Sequence, residues 1–134
     1  MIDDIDINKA AIIRRCLARV HHELGGNPAA LDHFTTQDAI VLNILRACEA
    51  AIDLAMHRVS LGSYGIPQSS REAFDLLEKN SVISAPCASS MKNMVGFRNV
   101  AVHSYQELQM PILQAIVRDR LTDFETFLAE LHLP

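Results

Sequence analysis

The sequence predicts an all-α protein, an up-and-down bundle of about five helices. Three observations lead there. Of 134 residues, 49% are hydrophobic but only 5% aromatic, with five Gly and five Pro, a profile that favours packed helices over a sheet. Apolar residues recur at spacings of three and four along most of the chain, the period of a helix face. The breaks between those stretches fall where Gly, Pro, Asn or Ser gather. The length fits one domain, residues 1–134, able to bury a core without disulfides or metal.

The first helix is expected over about residues 8–24, where Ile13, Leu17, Val20 and Leu24 share a face and Gly25-Gly26-Asn27-Pro28 stops it. His21 and His22 point in different directions near its end and read as solvated histidines. The second is expected from about Thr36 to Val59, with Thr35 or Thr36 as N-cap and Asp38 in the first turn. Val41, Leu45, Cys48, Ile52, Ala55 and Val59 make one stripe; Ile40, Ile44, Ala47, Ala51 and Leu54 make another. An amphipathic surface helix needs only one. This helix is therefore central, or core on one side and a subunit contact on the other.

Its polar edge is narrow: Arg46, Glu49, Asp53 and His57, each a neighbour of the next on a helix surface. On one reading Arg46 meets Glu49, and Asp53 meets His57. On the other, Glu49 or Asp53 orients a functional side chain from behind.

Gly62, Gly65 and Pro67 open a loop, and Ser69 with Glu72 forms a candidate capping box. A short third helix runs to about Lys79, burying Phe74 and Leu77, and ends at Asn80 and Ser81. The fourth begins near Pro86, which suits a first turn. Met91, Met94, Val95 and Val102 mark its inward side, and Arg98 falls on the same line. A cation there is costly unless it meets a carboxylate, a subunit boundary or a bound phosphate. A purely structural pair with Glu49 or Asp53 is the plainer alternative. A last helix spans about Pro111–Leu131, with Leu113, Ile116, Val117, Leu121, Phe124, Phe127, Leu128 and Leu131 as its core face.

Cysteines at 16, 48 and 87 are isolated and show no metal spacing, which suggests a reducing cytoplasm. The acidic start, Met1-Ile2-Asp3-Asp4, lacks the regions of a signal peptide. No apolar run reaches membrane-spanning length, so no membrane role is expected. The net charge is −4. That counts against a broad basic surface of the kind that grips nucleic acid. If RNA is a substrate, its positive field must be local or assembled from two chains.

One stretch concentrates chemistry: Arg98-Asn99-Val100-Ala101-Val102-His103-Ser104-Tyr105. It holds a permanent cation, an imidazole that titrates near neutrality and a phenol. This combination suits a phosphodiester, where charge is neutralised while a proton moves. On an ideal helix, however, His103 lies about 140° around from Arg98, at about 100° per residue. Three remedies are open: the helix loosens near His103, Arg98 bends toward it, or two chains share the site. Tyr105 by itself reads as a ring packed with its hydroxyl wet.

The spacing Arg, four residues, His, one residue, Tyr resembles the signature of the HepT-like toxins of the HEPN superfamily, with Asn99 directly after the Arg. The resemblance implies a homodimeric HEPN-like helical fold whose pocket forms at the symmetric interface. It also implies the toxin half of a toxin–antitoxin module, whose cognate minimal nucleotidyltransferase antitoxin can transfer AMP onto the motif tyrosine, here Tyr105. Bulk and negative charge at that place would repel an RNA phosphate from Arg98 and His103.

No Gly-rich phosphate loop, zinc spacing, Ser-His-Asp pattern or Glu-x-x-His occurs, so no metal and no cofactor is expected. The reading that follows is a metal-independent endoribonuclease in which the RNA supplies its own 2′-hydroxyl. His103 moves the proton, Arg98 holds the phosphate and Asn99 adds a hydrogen bond, leaving a 2′,3′-cyclic phosphate. Lys92 and Arg71 are candidate strand guides, Glu49 and Asp53 candidate supports. The competing reading is a non-catalytic helical dimer, an adaptor or regulatory partner for a nucleotidyltransferase. Cleavage of RNA in EDTA by the parent chain, His103→Ala and Arg98→Ala separates the two.

Overall fold

The computed structural model describes residues 2–134, and Met1 lies outside them. Among the described residues the structure is helical throughout, with no strand. The first helix, α1 (Asp4–Leu24), begins four residues earlier than its apolar period suggests. Ile5 and Ile7 are exposed, so the hydrophobic signal is silent there. Polar chemistry starts the helix instead: Asp3 accepts from the Asp6 N–H, and Asp6 accepts from the Asp3 N–H, each at 3.0 Å. This reciprocal cap satisfies two otherwise orphaned donors. Gly25, at φ 56°, ends the helix in the left-handed conformation, which costs glycine little.

After a 3-10 turn, Pro28–Asp32, the helix α2 runs Phe34–Gly62. It is longer than expected at both ends. Neither Thr35 nor Thr36 caps it; His33 stands at the cap, with no side-chain bond, and both threonines lie inside the first turn. Both predicted stripes are buried, apart from the partly covered Leu45. The helix is central because α1 packs on one side and α3 (Ser70–Lys79) and α4 (Ala85–His103) on the other.

In α3, Ser69 accepts from the Glu72 N–H, but only this half of the expected box forms among the described residues. Phe74 meets Phe127 edge to face, with ring centroids 5.5 Å apart. Ser84 caps α4 and is itself gripped by Glu130, at 2.6 Å to its N–H and 2.9 Å to its hydroxyl. Met91, Met94 and Val95 are buried as expected, while Val102 is 50% exposed. In the same last turn of α4 Val100 and His103 are exposed too, while Ala101 stays buried.

The expected final helix is divided. The helix α5 (Met110–Ala115) passes through a π turn, Ile116–Arg120, into α6 (Thr122–Glu130). That turn sets Ile116 and Leu121, five residues apart, against the same core, as a wider turn permits. The count thus rises from about five helices to six. Among the described residues no helix is long and apolar enough to cross a membrane.

One ion pair ties the start of the chain to its end. Asp6 is fully buried and accepts from Arg58 at 2.8 Å; Arg58 also donates to the Leu131 carbonyl at 3.3 Å.

Candidate functional site

Arg98 sits five residues from the end of α4, its side chain 20% exposed. Its fork is fully engaged. One terminal nitrogen donates to Glu49 of α2, the other to Ser70 of α3, and Nε donates to Asn99, each at 2.9 Å. Three helices therefore fix the plane of one guanidinium. The carboxylate that a cation in an apolar stripe requires is Glu49, itself about half exposed. The pair therefore lies at the rim of the core rather than inside it.

The other expected contacts along α2 do not form. Asp53 pairs with Lys9 of α1 at 3.0 Å, and His57 with Asp3 at 2.7 Å. Asp53 stands one turn beyond Glu49, where α1 passes instead of α4, so it does not support Arg98. Arg46 is exposed and pairs with no carboxylate among the described residues, Glu49 being taken by Arg98. Lys92, a candidate strand guide, is occupied by Asp75 at 2.7 Å. Arg71 lies along α4, donating weakly to the Lys92 carbonyl, with its guanidinium over Gly96. A Cβ at Gly96 would stand 2.9 Å from that guanidinium.

His103 closes α4 and is exposed. The helix stays regular up to it, and the Ser104 N–H still reaches the Val100 carbonyl at 2.8 Å. Loosening is thus excluded as a route to Arg98. Bending is not seen either, because the guanidinium faces Glu49, Ser70 and Asn99. Within one chain, Arg98 and His103 diverge by about 140° and share no hydrogen bond among the described residues.

Tyr105 begins a 3-10 turn after α4. Its hydroxyl donates to Asp38 of α2 at 2.5 Å. Burial first, then the bond and charge of Asp38, push its pKa up to about 12. Tyr105 and Asp38 line a groove of about 390 Å³ with Gln37, Met110 and Phe34, whose ring is 81% exposed. Asp38 has no sequence signal beyond a helix first turn; its partner is 67 residues away.

The three cysteines are free and buried. Burial pushes Cys48 and Cys87 up to about 12 and raises Cys16, which leaves little thiolate for chemistry. One group, Asp3, Asp6 and His57, gathers ligand-type atoms within 4.8 Å. Each is already used: Asp3 caps α1 and holds His57, while Asp6 holds Arg58. The cluster is a clamp between helices.

Residues 13–131 match the family described as ribonuclease HepT-like. The chain belongs to that family. It is 46% identical over 127 residues to the mRNA nuclease HepT of Shewanella oneidensis, spanning 95% of this chain and 96% of that one. A tri-AMPylated Shewanella oneidensis HEPN toxin, solved in complex with an MNT antitoxin, superposes with a TM-score of 0.92 at 44% identity. That match covers 98% of each chain. A toxin–antitoxin crystal structure with AMP-PNP gives the same TM-score and identity, covering 97% of this chain and 99% of that one. The all-helical HEPN-like expectation therefore holds over nearly the whole length. In this HepT-like fold, the Arg98–Tyr105 signature occupies the last turns of α4 and the turn after it.

Proposed function

We propose that this chain is a metal-independent RNA endonuclease, the toxin of a toxin–antitoxin module, acting as a homodimer with a nucleotidyltransferase antitoxin as partner. The observation that carries the dimeric site is the divergence of Arg98 and His103 on one regular helix. Two side chains that cannot meet within a chain can meet across a two-fold axis, where each copy supplies what the other lacks. Exposed Val100, Val102 and Ile112, close in sequence to His103, supply apolar surface for such a contact.

In the shared cleft the RNA 2′-oxygen attacks the adjacent phosphorus and the bond to the 5′-oxygen breaks. His103 of one copy takes the 2′-hydroxyl proton or returns one to the leaving 5′-oxygen. Arg98 of the other neutralises charge gathering on the non-bridging oxygens. The products are a 2′,3′-cyclic phosphate and a 5′-hydroxyl. Asn99 has its carbonyl oxygen on Arg98 Nε, which makes it a support for the guanidinium and leaves its amide N–H groups for substrate. Glu49 is the second support, holding the fork until a phosphate competes for it.

Tyr105 is the proposed acceptor of AMP from the antitoxin, consistent with a relative solved in AMPylated form beside its antitoxin. Free buried thiols suit a reducing compartment, and we place the protein in the cytoplasm.

One observation favours the adaptor reading: every arm of the Arg98 fork already has a partner within the chain. Cleavage of labelled RNA in EDTA decides between them. The parent chain should cut, and His103→Ala and Arg98→Ala should each lose about a hundredfold or more in rate. Equal, negligible cleavage by all three would leave the adaptor.

A further inference from the structure

We propose that Arg15, Arg19 and Arg46 form a groove that binds the phosphate backbone of single-stranded RNA and delivers it to Arg98. The inference rests on the nuclease reading above and adds the path of the substrate. The groove lies between α1 and α2, encloses about 560 Å³, and is lined by these three arginines with Asn8 and Asn43. All three arginine side chains are exposed.

The charge of Arg15 and Arg46 is unspent. Lys9, Arg58, Lys92, Arg98 and Arg118 each hold a carboxylate within 3.0 Å. Among the described residues Arg15 and Arg46 hold none within 4.0 Å, and Arg19 reaches Glu23 only at 3.8 Å. In a chain of net charge −4, two unpaired arginines beside the loosely paired Arg19 are the local positive field that an RNA-cutting protein requires. Arg15 and Arg46 both act on Cys16 in the groove, opposing the effect of burial on its thiol.

One edge of the groove stands a helical turn from the residue that holds Arg98. Arg46 precedes Glu49 by three residues on α2, about 4.5 Å along the axis and on the same surface, and Glu49 grips Arg98. Arg15 and Arg19 sit one turn apart on the facing helix. Planar guanidinium forks in a row suit successive phosphates read without regard to base. Glu23 and Glu49, each one helical turn from Arg19 or Arg46, are already bonded to an arginine.

The test uses the full-length protein and a fluorescein-labelled single-stranded RNA of mixed sequence. Binding by anisotropy across a salt series, kcat and KM are measured for the parent, Arg15→Gln/Arg46→Gln and Arg15→Lys/Arg46→Lys. The Gln pair should bind about tenfold more weakly and keep kcat within about twofold. Its slope of log affinity against log salt should fall by about 1.4, at about 0.7 per phosphate contact on single strands. The Lys pair should keep the slope. Unchanged affinity and slope in the Gln pair would overturn the groove. So would normal RNA binding with loss of the antitoxin complex, which would make it a surface for an acidic partner. A parent chain that binds RNA but cuts none would sink the nuclease reading alone, since the binding slope is read without cleavage. A parent that does not bind RNA sinks both.

Discussion

The hydroxyl of Tyr105, in the turn after α4, donates to the carboxylate of Asp38 on α2 at 2.5 Å. A phenol with its pKa pushed up to about 12 is fully protonated at neutral pH. It becomes a nucleophile only if something takes its proton as the new bond forms. Asp38 already accepts a hydrogen bond from that proton. On the proposal that Tyr105 accepts AMP, its attack on the α-phosphorus of ATP would expel pyrophosphate and pass the phenol proton to Asp38. Asp38→Asn should slow AMP transfer at least about tenfold while leaving RNA cleavage near normal. Mass spectrometry of the toxin after incubation with antitoxin, ATP and magnesium measures it, and transfer at the parent rate would remove Asp38 from the reaction.

Glu49 offers a different signature. Its pair with Arg98 is half exposed, so Glu49→Gln should cost about 1 kcal/mol of stability or less. If Glu49 sets the plane of the guanidinium, kcat should fall about tenfold with KM little changed. Denaturant melts beside steady-state kinetics separate the two effects. A stability loss with unchanged kcat would make the pair structural only.

The Asp6–Arg58 pair should behave in the opposite way. Asp6 is fully buried, and Asp6→Ala strands a guanidinium among the ends of three helices. A loss of about 3 kcal/mol is expected, as for other broken buried pairs. A urea midpoint close to the parent's would contradict that role.

Alkaline stability follows from the buried acids. Cys48 and Cys87 keep their protons to about pH 12 in the folded chain, against an ordinary value of 9.0, and Tyr105 to about 12 against 10.0. Between those limits the unfolded chain has released protons that the folded one retains, so stability falls as pH rises. The melting temperature should be insensitive to these groups below pH 9 and drop steadily from about 9 to 12. A flat profile there would contradict their burial. The same burial leaves all three thiols unreactive toward a thiol reagent until denaturant is added.

Much of this was legible in the sequence because helix faces are. The two stripes of α2 named a helix that is central or shared with a subunit contact, and Arg98 on the line of Met91 and Val95 called for a carboxylate, a subunit boundary or a bound phosphate. Glu49 and Asp53 both satisfied that demand on paper. Only the crossing of α4 over one turn of α2, and of α1 over the next, chose Glu49. The start of α1 was hidden because Asp3 and Asp6 build it with polar bonds while Ile5 and Ile7 face out. The π turn was hidden because a five-residue step between Ile116 and Leu121 still leaves a passable helical stripe. Asp38 and the arginine groove were beyond reach for one reason: tertiary packing makes them, and a net charge of −4 conceals a local cluster of cations.

The central claim is that the catalytic pair is drawn from two copies of the chain. Arg98→Ala and His103→Ala, each inactive alone, are unfolded together, refolded as a mixture and assayed on RNA in EDTA. Random pairing makes half the dimers mixed, and each mixed dimer regains one intact site of two, so activity should return to about a quarter of the parent's. A mixture as inactive as its components, with mixed dimers confirmed by native mass spectrometry, would show that the site is not shared.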